Sequence, residues 1–189
     1  MELQEIMNKI ASHMVSGMMF HEQMSEYYLF LNLKGYSKCH EYHFMDETCN
    51  YRKFCKVYTK HFQRLIHTDI EVEQYIPESW YKYTRFDVDK GTVQESVKKG
   101  LEMWVDWERK TKKMYEEVYT ELVEANEVDA AIYMEKLVKC VSKELEKVES
   151  YLIKKTIIDY NISDIMTEQH PKKEKYKGKM KEMIGERLC

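Results

Sequence analysis

Residues that break helices are scarce in this chain and stand far apart, and that scarcity limits the folds open to it. The 189 residues include six glycines and only two prolines, Pro77 and Pro171. Gly and Pro are the residues least favourable inside a helix, whereas Glu, Lys and Met cost little there. The chain is rich in these helix formers, so the sequence predicts an all-α fold built from long helices.

Apolar residues recur three or four positions apart over four segments, which predicts four helices. The segments are 3–33, 38–67, 92–125 and a last one that begins at Asn126 or Asp129 and ends near residue 160. Gly35 is expected to take a positive φ in the first turn, and Ser37 and Thr92 are expected to cap the second and third helices.

The connections between these helices run short, long and short. A helix of 30 residues is about 45 Å long, and a connector of the length of 68–91 can stretch to roughly 70 Å. The connector can therefore return along the whole bundle before the third helix begins. This predicts an antiparallel four-helix bundle with one long crossover between helices 2 and 3. The alternative is a short-looped bundle in which 68–91 folds into a local cap.

Composition excludes several classes of protein and predicts a location. The net charge is −3, and the Lys-rich segment at the C-terminus alternates its lysines with glutamates, so only this tail offers contact with nucleic acid. No apolar run approaches the roughly 18 residues of a membrane span. Five cysteines without a Cys-x-x-Cys pair predict reduced thiols and a cytoplasmic location. Residues 1–162 are predicted to form the bundle and 163–189 a mobile tail.

Each predicted helix carries one glutamate within its apolar stripe. These residues are Glu22, Glu47, Glu108 and Glu144. Because carboxylates are rarely buried without a partner, such positions need a reason. One inward carboxylate per helix is the arrangement that holds two iron or manganese ions at the centre of a bundle. His43 lies four residues before Glu47 on the same helix face and is a further predicted ligand.

Several stretches resemble the ferritin-like superfamily of ferritins, bacterioferritins, rubrerythrins and miniferritins. "HEQMSEYYLFLNL" resembles the first ferritin helix, "DWERKTKKMYEEVYTELVEAN" resembles the third, and "NLKGYSKCHE" resembles a miniferritin turn. The family's second helix carries Glu-x-x-His, whereas this chain has Glu47 and Asn50 at those positions. The matching region of the fourth helix, "KCVSKELEK", contains Glu144 but no histidine. His43 could substitute in part, and His21 and His40 are further candidates.

The resemblance implies a metal-binding protein with iron as the leading metal, although manganese or no metal is also compatible with the residues. If the site is functional, it implies oxidation or storage of iron between the carboxylates. It also implies a homo-oligomer, a dimer or larger, with no membrane partner. The alternative is a metal-free bundle that acts as a structural or protein-interaction module.

Overall fold

The computed structural model describes residues 3–63, 65–70, 74–76, 78–82, 84 and 87–167. Helices make up the regular structure of these residues, which contain no strand, so the all-α prediction is confirmed. The helices are α1 (Leu3–Phe30), α2 (Lys34–Phe62), a 3-10 helix (Glu78–Lys82), α3 (Lys90–Glu124), α4 (Val128–Ile157) and α5 (Ile162–Thr167). None of the helices in these ranges combines the length and the hydropathy that crossing a membrane requires.

The turns that end α1 and α3 are built in the same way, each around an asparagine. Asn32 and Asn126 both have φ of 60°. In each turn the next backbone N–H donates to the carbonyl five residues earlier, at 2.9 Å, which satisfies a carbonyl at the helix end. The prediction that Gly35 takes the positive φ is wrong, because no glycine in the described ranges does so. Asparagine tolerates this conformation better than most residues.

The residue that caps α3 is Asp89, not Thr92. The carboxylate of Asp89 accepts a hydrogen bond from the backbone N–H of Thr92 at 2.7 Å, which satisfies one of the unpaired donors of the first turn. Ser37 likewise lies inside the first turn of α2, whose N-cap position is Leu33 and has no side-chain cap. Helix α2 also ends at Phe62, earlier than the predicted residue 67.

Helices α1 and α2 with the connector that follows belong to one compact unit, Met7–Val88. The two helices are antiparallel, because contacts pair early residues of one helix with late residues of the other. Ser25 donates to the carbonyl of Ser37 at 3.0 Å, and the Thr48 hydroxyl lies 3.2 Å from the sulfur of Met18. The core of this unit is aromatic and apolar. Its most buried side chains include Ile10, Met14, Phe20, Met24, Tyr28, Phe54 and Tyr58.

The connector after α2 runs along α1 in the same direction as α1. Three contacts mark its course: His67 N–H to Asn8 Oδ1 at 3.0 Å, Tyr75 N–H to Gln23 Oε1 at 2.9 Å, and the Trp80 ring stacked on Tyr27 at 4.2 Å. From Asn8 to Tyr27 a helix advances by about 28 Å. The connector therefore travels most of the length of α1, and a long crossover forms instead of a local cap.

Helices α3, α4 and most of α5 belong to a second unit, Met1–Ile6 with Asp89–Ile165. Arg109 of α3 pairs with Glu149 of α4 at 2.7 Å. Lys155 near the end of α4 is 3% exposed and forms an ion pair with Asp164 of α5, while Ile165 is 2% exposed. The tail boundary predicted at residue 163 stays a prediction, and residues 168–189 of that tail lie outside the described residues.

Candidate functional site

Two histidines meet in the core between α1 and α2. His21 and His40 are each 1% exposed, and their Nδ1 atoms are 2.9 Å apart. The antiparallel register explains the meeting, because His21 precedes the Asn32 turn by about as many residues as His40 follows it. One Nδ1 must donate its hydrogen and the other must accept it, so the two rings adopt different tautomers.

A third imidazole and two aromatic rings surround this pair. The half-buried ring of His43, a predicted ligand, stacks on His21 with 5.0 Å between ring centroids. Tyr28 stacks on His40 at 5.4 Å, and the edge of Phe20 contacts His21 at 5.1 Å. The structure thus brings His43 together with the two histidines that the sequence offered only as further candidates.

The surroundings keep His21 and His40 neutral. Burial lowers the pKa of both rings well below the usual 6.5, and the nearby imidazole of His43 lowers both values further. A neutral imidazole has a lone pair that can bind a metal ion. At neutral pH the pair therefore has the protonation state that a metal ligand needs.

The predicted ligand Glu22 lies beside this cluster in sequence and is half-buried, as is Glu47. Burial raises the pKa of the Glu22 carboxyl, and the neighbouring carboxylates of Glu26 and Glu41 raise it further. Repulsion among like charges is the cause of this second effect, so the region has a negative potential that favours a cation. Lys38 forms an ion pair with Glu41 and offsets part of that potential.

The predicted ligands Glu108 and Glu144 lie in the second unit. Glu108 is 7% exposed and accepts a hydrogen bond from the indole Nε1–H of Trp104 at 3.0 Å. The Glu144 side chain is 25% exposed and pairs with the ammonium group of Lys147 at 3.0 Å. The Trp104 bond could have been found from the sequence, because the two residues are four apart and share a helix face.

Comparison with known proteins identifies the fold. No profile of a known protein family matches the sequence, and no curated protein matches it. A solved structure described as a humanized archaeal ferritin is similar to this chain, with a TM-score of 0.69 and 14% sequence identity. The similarity covers 86% of this chain and 90% of that chain. The chain has the ferritin-like fold. The predicted ferritin-like four-helix bundle is therefore confirmed.

The residues of this ferritin-like chain do not fit a complete di-iron centre. The position three residues after Glu144, where the superfamily pattern places an imidazole, holds Lys147, and its ammonium group is bound to the Glu144 carboxylate. The corresponding position after Glu47 holds Asn50. Within the part of the chain that the structure describes, no three His, Cys, Asp or Glu side chains are grouped to hold a metal ion. The donors that remain are separate carboxylates and the histidine cluster.

Proposed function

We propose that this protein is a divergent ferritin-like metal-binding protein, with iron as the leading metal and Glu22, His43, Glu47, Glu108 and Glu144 as its ligands. The observation that supports it best is the burial of Glu108, which is 7% exposed on an otherwise apolar helix face. A carboxylate in such a place needs compensation. The Trp104 N–H supplies one hydrogen bond, and a divalent cation would compensate the charge itself.

The proposal covers binding of the metal and not its catalysed oxidation. A ferroxidase must hold iron through the change from Fe(II) to Fe(III) with a full set of ligands. Here Asn50 and Lys147 stand where the superfamily has imidazoles, and the Lys147 ammonium repels a cation at Glu144. We therefore assign no oxidation step to these residues.

Counting iron in matched variants tests the proposal. The tag-free chain is dialysed against Fe(II) without oxygen, and bound iron is measured by elemental analysis. We expect about one or two irons per chain, as the carboxylate pattern implies, and a clear loss in Glu108→Gln, which removes the charge but keeps the shape. Glu102→Gln is the control, because Glu102 is exposed on the same helix. An absence of bound iron, or equal iron in Glu108→Gln and the native chain, would contradict the proposal.

A metal-free structural or interaction module is the second candidate, and the Lys147–Glu144 pair favours it because it neutralises a predicted ligand within the chain. In that case Glu108→Leu should leave the melting temperature unchanged or raise it, since a buried charge without a metal partner adds little to stability. If metal binding compensates Glu108, the same variant loses the increase in melting temperature that metal gives to the native chain.

We also propose that the chain forms a homo-oligomer, a dimer or larger, in the cytoplasm, as the sequence predicts. Its support is the ferritin-like fold, and association of like chains is common among soluble proteins. Light scattering of the purified chain tests the first part, and a monomer at micromolar concentration would contradict it.

A further inference from the structure

The histidine pair in the core of α1 and α2 has the geometry of two ligands of one metal ion. Typical distances from a metal to an imidazole nitrogen are about 2.0–2.1 Å. With the Nδ1 atoms of His21 and His40 2.9 Å apart, a metal bound to both would see them at an angle of about 90°. That angle occurs between adjacent ligands in square-planar and tetragonal coordination. Tetrahedral coordination would require the nitrogens to be about 3.3 Å apart.

We propose that His21 and His40 form a binding site for a tetragonal first-row transition metal, Ni²⁺ or Cu²⁺, that is distinct from the carboxylate iron site. Imidazole is a favoured ligand for these ions, whereas carboxylates suit harder cations. The pair supplies two protein ligands, and exchangeable ligands such as water complete the coordination. The half-buried His43, stacked on His21, is placed to become a third ligand by changing its rotamer.

The electrostatics around the pair favour the metal over a proton. Both rings are neutral at neutral pH because burial disfavours their charged forms, so a metal does not have to displace a second proton from either ring. Each histidine is followed directly by a glutamate, Glu22 or Glu41. These two carboxylates and Glu26 repel one another strongly enough to raise the pKa of Glu22, so they form a negative region near the pair. That region would attract a divalent cation.

Nickel titration of the tag-free chain, freed of metal with a chelator, tests the site. Nickel is the preferred probe because thiols such as Cys39 and Cys49 can reduce Cu²⁺. We expect about one Ni²⁺ per chain by calorimetry, a raised melting temperature, and loss of both in His21→Gln and in His40→Gln. His67→Gln is the control, because the His67 side chain is 75% exposed and paired with Asp69. Nickel binding that persists unchanged in both core variants would overturn the proposal.

Two further measurements keep the test decisive. Circular dichroism without metal shows whether each variant is folded. X-ray absorption of the nickel-loaded native chain counts imidazole ligands directly, so the result does not depend on any variant. We expect at least two imidazoles, and fewer than two would refute the site. Glu108→Gln should retain nickel, so loss of iron with retention of nickel, or the reverse, shows which of the two metal sites has failed.

Discussion

The hydrogen bond between His21 and His40 exists only while neither ring carries an added proton, because Nδ1 of one ring must remain an acceptor. Both rings are buried, and burial lowers their pKa values below 6.5, the value expected in the unfolded chain. Above about pH 6.5 the rings are neutral in both states, and their contribution to stability is complete. As the pH falls below that value, the unfolded chain takes up protons that the folded chain refuses, so stability is lost progressively.

We therefore expect the metal-free protein to lose unfolding free energy between pH 7 and pH 5, where few carboxylates titrate. Urea unfolding at a series of pH values, with a chelator present, measures the effect. His40→Gln should show a weaker pH dependence over this window, since one of the two groups is gone. The exposed His67 provides the control variant, His67→Gln, which should follow the native curve. An identical slope in the native chain and His40→Gln would contradict this assignment.

At the scale of the helices, the sequence predicted which segments are helical but not the residues that end them. Periodicity reports buried faces, and Ile6, Ile10, Val97 and Val148 are indeed buried. Leu29 was expected on the stripe of α1 but is 52% exposed, because the last turn of a helix need not face the core. The turn chemistry was misread because glycine is the usual residue at positive φ, and here asparagine occupies that position.

Asn126 provides a direct test of the turn between α3 and α4. With φ of 60°, this position is strained for residues with a branched or bulky side chain and free of strain for glycine. Asn126→Ala should lower the unfolding free energy by about 1 kcal/mol, whereas Asn126→Gly should be close to neutral. Chemical denaturation of the two variants measures the difference. Equal loss in both variants would show that the asparagine side chain, and not the backbone conformation, stabilises the turn.

The short helix α5 depends on a buried cation. Lys155 is 3% exposed, and its ammonium group pairs with Asp164 and lies 5.1 Å from the centre of the Tyr151 ring. Asp164→Asn leaves that buried charge without its carboxylate, which should cost about 1–2 kcal/mol because Asp164 itself is partly exposed to water. Thermal melting measures the loss. Lys155→Met in the same background should recover part of it, and a further loss instead would contradict the argument.

At the scale of the whole molecule, connection lengths predicted the topology, whereas the pattern of glutamates could not show which side chains meet. A long connector between antiparallel helix pairs has few courses open to it. Side-chain proximity depends on register, and a shift of one turn decides whether Glu47 or His40 faces a given residue of α1. The histidine pair became visible only when the Asn32 turn fixed that register. The Lys147–Glu144 pair, by contrast, was within reach of the sequence, since residues three apart on a helix are neighbours.

The crossover itself should depend on one aromatic contact. Trp80 is 5% exposed and stacks on Tyr27 near the end of the connector's course along α1, whereas the adjacent Tyr81 is 59% exposed. Trp80→Ala removes a buried ring and should lower the unfolding free energy by about 3 kcal/mol, while Tyr81→Ala should cost less than about 0.5 kcal/mol. Limited proteolysis adds a local readout: cleavage within 63–89 should become faster in Trp80→Ala only. If both variants melt and are cleaved like the native chain, other contacts, such as those of Asn8 and Gln23, hold the crossover on α1.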